Sequence, residues 1–462
     1  MNASTRKNSG GRLSIATLCL GALLLLVVYS STASAESIVS CPTGMKYENQ
    51  LCHQPCRDNY IEDGLLCRRE CSSGFTWNGF VCSKWYGLTT YYPDSYSRTT
   101  SNPTYCSTSS FTRKISSSTS PETFTMIVSS DSQYPWWRGA NDSNCSSEEC
   151  VKEKGEQTNR EQIQAMNNVI NTSHSSNGNT ISALWPSTSN VLASRRGGAI
   201  SEPKGVILNG DLTAFWHDWQ AEKYMDLYHR NDADPNNTSN LKLNLYPGLG
   251  NHDIANNRGD CWWVRNFEYI SYGANGCAKN AAHYIKKMVS CNLVSNFPSS
   301  SMTSYDDGSL AYSWDIGRYH FVQLHNFPTY TYPEIGLGSS IEWLRQDLQR
   351  AYDAGKRSVI NLHDYGEHMS SYNADFLGAI SGKNVIAVFA GHLHSQNGYV
   401  GSVAQTQIPL FRSGAAEYNT FLLVEFGRNH MTVGVIDSTG GSPRFMNPSS
   451  SYKLKTIEFS SL

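Results

Sequence analysis

Five short apolar runs in this chain each lead into residues of one chemical kind, and no other feature of the sequence constrains the fold as much. Phe124–Ser129 is followed by Asp131-Ser132-Gln133, residues 206–209 by Gly210-Asp211-Leu212-Thr213, and residues 243–246, after a Gly-rich turn, by Gly250-Asn251-His252-Asp253. Residues 359–362 lead into His363-Asp364, and Val385–Ala390 into Gly391-His392-Leu393-His394. A Gly-Asp pair or a lone histidine after a strand is ordinarily a turn or a hydrogen-bonded side chain. Five such ends, each offering Asp, Asn, Gln or His, are able to surround one site, because ligand groups in α/β sheets gather beyond the carboxyl ends of strands.

The wider pattern supports that reading. Residues 205–209, 243–246, 319–324 and 358–362 read, with Phe124–Ser129 and Val385–Ala390, as short, mostly buried strands. Between them Ile163, Met166 and Ile170 share one helical face, and Ile341, Leu344, Leu348 and Tyr352 share another. Residues 408–437 read as strands joined by turns, for instance 421–426 and 431–436. Alternating strands and helices predict an α/β core. At 39% hydrophobic and 11% aromatic, a chain of 462 residues buries a large core and is not disordered. With Lys+Arg 37 against Asp+Glu 39, the charge balance argues against a generic nucleic-acid binder or an acidic solvating tail.

The amino-terminal part is built differently. Arg6, Lys7 and Arg12 precede an apolar stretch over residues 13–28, and Ala33-Ser34-Ala35 offers a small-residue cleavage site. Residues 1–35 therefore read as a signal peptide cleaved after Ala35 from a secreted, extracellular protein, with no membrane-spanning segment left in the mature chain; an uncleaved anchor is the alternative. Removing Cys19 leaves twelve of the 13 cysteines, an even number. Cys41, Cys56 and Cys71 recur every fifteen residues, and so do Cys52, Cys67 and Cys82. Units this short bury no core, so residues 36–84 read as three disulfide-held repeats, with Asp63-Gly64 and Asn78-Gly79 as hairpin turns and no connectivity assigned. A zinc cluster would want close cysteine pairs and a reducing compartment. Residues 85–121, rich in Ser, Thr and Tyr and without periodicity, read as a linker. Residues 122–437 then form the α/β domain, and 438–462 a tail.

The strand-end residues suit a pair of divalent cations. His392 and His394 are two apart, as are Asp131 and Gln133, so on extended backbone each pair points to one side. Two-metal hydrolytic sites hold their ions about 3.5–4 Å apart, which calls for a ligand reaching both. Asp211, held close by Gly210, is the natural bridge. Two cations offset by two carboxylates and a bridging hydroxide leave one positive charge, which attracts phosphate.

In order and spacing these blocks resemble the calcineurin-like metallophosphoesterase family, over roughly residues 122–437. The resemblance implies a four-layer αββα sandwich of two mixed β-sheets with helices outside. It implies a first metal on Asp131, Gln133, Asp211 and His394, and a second on Asp211, Asn251, His363 and His392. It also implies His252 as the group that contacts phosphate and protonates the leaving oxygen, with Asp253 orienting it. The first block usually reads Asp-x-His; here it is Asp131-x-Gln133, and an amide oxygen favours harder ions such as Mg²⁺ or Mn²⁺. Mn, Mg, Zn and Fe all stay open, although Leu212, Thr213 and Ala214 supply no tyrosine for a purple iron centre.

Other residues near the blocks are weaker candidates. His217 and His325 read better as surface or satisfied histidines than as substrate contacts; Trp136 and Trp137 are open to an aromatic wall or to packing; Tyr365, Glu367 and His368 rim the pocket without an assigned role. Cys145 with Cys150 and Cys261 with Cys277 are spaced to brace loops, leaving Cys106 and Cys291. Sequons stand at Asn141, Asn144, Asn171, Asn236 and Asn237. The leading expectation is a secreted phosphoesterase that hydrolyses a phosphomonoester or phosphodiester with a metal-bridging hydroxide. The alternatives are a catalytically silent metal-binding module whose Cys-rich repeats bind a surface partner, and a structural or adhesive secreted protein.

Overall fold

The structure is a computed structural model. It describes the strands and some flanking residues within 37–107, and then residues 108–116, 123–137, 145, 147–170, 184–230, 240–261, 274–291 and 294–460. The expected signal peptide and all five sequons lie outside the described residues.

Eleven short strands occupy the amino-terminal part: β1 (Ser37–Ser40), β2 (Lys46–Glu48), β3 (Leu51–His53), β4 (Tyr60–Asp63), β5 (Leu66–Arg69), β6 (Thr76–Trp77), β7 (Cys82–Lys84), β8 (Thr89–Tyr91), β9 (Ser95–Ser97), β10 (Thr100–Ser101) and β11 (Thr104–Ser107). Three antiparallel pairs, β2–β3, β4–β5 and β6–β7, follow the cysteine repeat. Disulfides Cys56–Cys67 and Cys71–Cys82 give the pairing, left open by the spacing, in the second and third repeats; Cys41 of the first lies outside the described residues. The stretch expected as a linker runs back along these pairs: β8 joins β7, β9 joins β5, β10 joins β3 and β11 joins β1. Two-stranded ribbons are marginal alone, and a third strand satisfies an open edge. Thr and Tyr suit that role.

Beyond β12 (Phe111–Thr112), two mixed sheets lie face to face. β13 (Phe124–Ser129), β14 (Pro203–Leu208) and β15 (Leu245–Pro247) run parallel in the first sheet. The second sheet begins at β12 and continues through β16 (Met302–Tyr305), β17 (Tyr312–Ile316), β18 (Tyr319–Gln323), β19 (Arg357–Leu362) and β20 (Val385–Ala390), then β22 (Pro409–Ser413) and β21 (Asn397–Ser402). β23 (Thr420–Phe426), β24 (His430–Asp437), β25 (Arg444–Phe445) and β26 (Leu454–Glu458) return to the first sheet. Residues 438–462 are therefore not a tail, because β25 and β26 both pair with β24.

Aromatic residues fill the space between the sheets. Phe124 stacks on Phe426 at 5.2 Å and meets Phe321 edge-on at 6.3 Å, while Tyr246 stacks on Trp314 at 4.2 Å. Helices cover the outer faces. On the first sheet lies α1 (Glu148–Asn167), whose Gln162 bonds Ser129 Oγ and the Thr420 carbonyl, with α2 (Asp218–Tyr228) beside it. α3 (Gly276–Cys291) precedes β16. On the second sheet α4 (Ile341–Asp353) and α5 (Ala374–Ile380) pack Leu344, Leu348 and Phe376 against Val322, Ile360 and Val388. This is the expected four-layer arrangement. Two helical positions depart from expectation: Ile170 lies past the end of α1, and Tyr352 is 44% exposed. Disulfides Cys145–Cys150 and Cys261–Cys277 brace their loops, and Cys291 is also disulfide-bonded. No helix among the described residues is long and apolar enough to cross a membrane.

Candidate metal centre

Five carboxyl ends of parallel strands, three in the first sheet and two in the second, carry the candidate ligands. Asp131 follows β13, Asp211 follows β14, Asn251 follows β15, His363 follows β19, and His392 and His394 follow β20. The ligand atoms of Asp131, Asp211 and His394 all lie within 4.8 Å of one another, and so do those of Asp211, His363 and His392. Asp211 belongs to both groups.

The backbone, not strand alternation, brings these side chains together. Residues 131–133 and 391–394 lie past the strands in irregular backbone instead of forming extended pairs. Asp131 (φ 51), Gln133 (φ 38), Asp211 (φ 51) and His392 (φ 70) are left-handed, a conformation that non-glycine residues keep only where their surroundings enforce it. Backbone bonds tie the loops: Asp131 N–H donates to the Gly210 carbonyl and Gln133 N–H to the Asp211 carbonyl, each at 2.9 Å. Gly250 is required for closeness, since a Cβ there would stand 2.2 Å from Asp211 Oδ1.

The polar groups are buried but incompletely paired. Asp131 Oδ1, Asp211 Oδ2, His392 Nε2 and both amide atoms of Gln133 are buried without a hydrogen-bond partner. Three of them meet only an ion-pair partner at 3.2 Å, Asp131 with His394, Asp211 with His363 and His392 with Glu367. Buried polar atoms this poorly satisfied are costly and mark a place that another charged group completes. Oxygen donors with imidazole fit divalent cations. Asn251 Oδ1 accepts from His363 Nε2 at 2.8 Å, and His363 Nδ1 donates to the Asn209 carbonyl at 2.7 Å. His394 Nδ1 meets Glu417 Oε1 at 2.5 Å, while its Nε2 lies 3.2 Å from Asp131 Oδ1.

Charge within the cluster is balanced by imidazolium. Burial favours neutral forms throughout, but Asp211 and Asp131 hold His363 up at about 9, and Asp131 with Glu417 holds His394 up at about 11. Against the same burial, His394 and His363 hold the Asp131 carboxyl down at about 2. His392 is lowered by burial and by His363. Two protons thus sit where cations would offset the carboxylates.

His252 and Asp253 are not partners. The Asp253 carboxylate accepts the backbone N–H groups of Gly250, Leu212 and Thr213 at 2.9, 3.0 and 3.1 Å. Burial and Asp211 raise it to about 7 against those bonds. It clamps the Asp211 and Asn251 loops to each other and leaves His252 alone, because adjacent residues in a turn diverge. His252 Nδ1 instead donates to the Ala214 carbonyl at 2.9 Å.

Glu417 and Arg412 join the site without having been singled out by the sequence, and Glu367, read from the sequence as a rim residue, stands with them. Glu417, in a short turn before β23, orients His394. Arg412 is buried and ties the His392 loop to the His363 loop through the carbonyls of Gly391, at 2.6 Å, and Tyr365. Glu367 Oε2 stands 3.2 Å from His392 Nε2. Neither Glu417 nor Arg412 falls in a motif, and their contacts cross 23 and 21 residues of sequence. The weaker candidates resolve as well. His325 is a satisfied core histidine between the Leu249 N–H and the Leu310 carbonyl. His217 caps α2 and pairs with Asp260 at 2.9 Å. Tyr365 is buried, with its hydroxyl bonded to Ser371 and Ala404, whereas Glu367 and His368 are exposed beside His392.

Compared with known proteins, the chain matches no family model and no curated protein. Among solved structures it is similar to a dimetal phosphatase from Danio rerio at 12% identity, over 73% of this chain and 99% of that one, with a TM-score of 0.39. A conserved uncharacterized protein of Streptococcus pneumoniae, a predicted phosphoesterase, matches at 10% identity over 73% and 98% with a TM-score of 0.26. Vacuolar Protein Sorting 29 from Cryptosporidium parvum matches at 9% identity over 73% and 98% with a TM-score of 0.27. At TM-scores this low, none of them bears on the activity of the present chain.

Proposed function

We propose that this chain is a secreted hydrolase of phosphate esters that works with two divalent cations. Asp131, Gln133, Asp211 and His394 would hold one ion, and Asp211, Asn251, His363 and His392 the other. The observation that carries the reading is Asp211: it is common to two clusters of ligand atoms, and its buried Oδ2 has no hydrogen bond, only an ion-pair contact with His363 Nε2 at 3.2 Å. Bound there, the ions would supply Lewis acidity for phosphate oxygens and an acidified water. The chain's own residues do the rest. Asp253 locks the loops of Asp211 and Asn251 so that the ligand atoms are preorganised. Glu417 and the Asn209 carbonyl fix which nitrogen of His394 and of His363 is presented. His252 supplies the proton for the leaving oxygen from Nε2, since Nδ1 is held by Ala214. Disulfides Cys56–Cys67, Cys71–Cys82, Cys145–Cys150 and Cys261–Cys277 fit an oxidising compartment, which supports export through residues 1–35.

The test is metal stoichiometry together with turnover. Purified protein dialysed against Mn²⁺ should hold two ions per chain and hydrolyse mono- or diesters. Asp211→Ala should lose both ions, because neither cluster keeps its shared carboxylate. Unchanged metal content in that variant would overturn the assignment.

A further inference from the structure

The polar cluster is not symmetrical in its surroundings. On the side of His392 the rim is polar, formed by exposed Glu367 and His368. On the side of His252 and His394 it is aromatic. The Trp136 ring stands edge-on 4.8 Å from the His252 ring and 6.4 Å from that of His394. Half-buried Phe215 lies 5.5 Å from His252. Trp136 is 38% exposed although residues 131–135 of the same loop are buried. Its place is fixed: Trp136 N–H donates to the Gln133 carbonyl at 2.8 Å, and the adjoining Pro135 carbonyl sits where a Cβ on Gly155 of α1 would be only 2.1 Å away. A rigidly held, exposed indole beside a cluster built to hold cations is a binding surface for something apolar and flat.

We propose, resting on the phosphoesterase reading, that Trp136 and Phe215 select esters whose leaving alcohol is aromatic. His252 is the residue nearest the leaving oxygen in that reading, and the two rings flank it. The phosphate would meet the polar cluster while the ring of the leaving group stacks on Trp136. A small or polyhydroxylic alcohol would gain nothing from that wall.

The experiment compares 1-naphthyl phosphate with hexafluoroisopropyl phosphate, whose leaving alcohols are matched in acidity but not in shape. Trp136→Ala, with its metal content unchanged, should lose about fivefold to tenfold in kcat/KM on the naphthyl ester and less than about twofold on the other. Trp136→Phe should restore most of that loss. Equal losses on both esters would overturn the proposal and leave Trp136 as mere support for His252. If the wild type hydrolyses neither ester nor the corresponding methyl diesters, the phosphoesterase reading fails, and calorimetry decides the wall by itself. With Mn²⁺ present, 1-naphthylphosphonate should bind the wild type about fivefold to tenfold more tightly than methylphosphonate, a margin that Trp136→Ala removes. No margin in the wild type would overturn the proposal.

Discussion

His252 is fixed from two sides. Its backbone N–H donates to Asp211 Oδ1 at 2.8 Å, and its Nδ1 donates to the Ala214 carbonyl at 2.9 Å. The first bond belongs to the main chain and survives substitution of the side chain by alanine. His252→Ala should therefore keep both ions while losing the proton donor. General acids of this kind contribute roughly 10²–10⁴-fold, and the benefit grows with the need of the leaving group for a proton. Alkyl phosphates should show most of that loss, and p-nitrophenyl esters much less. An equal loss on both would mean that His252 only binds phosphate. Asp253→Asn should behave differently, with lowered metal content, because its carboxylate holds three backbone N–H groups of the ligand loops. Metal analysis of the two variants side by side separates their roles.

Between elements, a buried charged joint away from the site links β17, β18 and α4. His320 donates to Asp315 Oδ1 at 2.7 Å and to Asp347 Oδ2 at 2.8 Å, entirely buried. Arg350 also pairs with Asp347, and Lys356 with Asp315 at 3.3 Å. Burial opposes the imidazolium, but the two aspartates raise His320 to about 9. A raised histidine stabilises the fold below its unfolded value of about 6.5, and that contribution fades as pH climbs through about 9. Its size is on the order of 3 kcal/mol. Denaturant unfolding from pH 6 to 9.5 should thus show a steeper decline in the wild type than in His320→Gln, the variant starting lower. Parallel curves would refute the role. The elements themselves were legible where burial wrote a run of apolar residues, as in β13 and β20, whose limits match the sequence pattern. β8 to β11 were not, because strands of two to four residues that serve only to close an edge need no periodicity. At the site, Asp, Asn and His after strands were readable from chemistry. The left-handed turns that aim them, and the distant Glu417 and Arg412, left no local trace.

For the whole molecule, the repeat module and the sandwich are joined by more than a tether. β12 pairs with β16 and covers the edge of the second sheet. Arg113 donates to the carbonyls of Ser300 and Met302 at 2.8 and 3.0 Å, and Phe111 packs on Tyr305 at 6.0 Å. An uncovered edge invites pairing with other chains. Two truncations isolate this contribution: one chain starting at residue 108, which keeps β12, and one starting at 117, which loses it. Both lack the disulfide repeats, so any effect of losing those cancels in the comparison. Both keep every candidate ligand and should bind two ions per chain. The shorter one forgoes ladder bonds, the Arg113 bonds and a buried ring, together about 2–3 kcal/mol. For a domain of this size that lowers the melting temperature by about 3–5 °C relative to the longer one. The shorter chain should also aggregate at lower concentration, measurable by light scattering. Equal melting temperatures would show that β12 merely passes the edge, and loss of metal in both would place part of the centre's support in the repeat module.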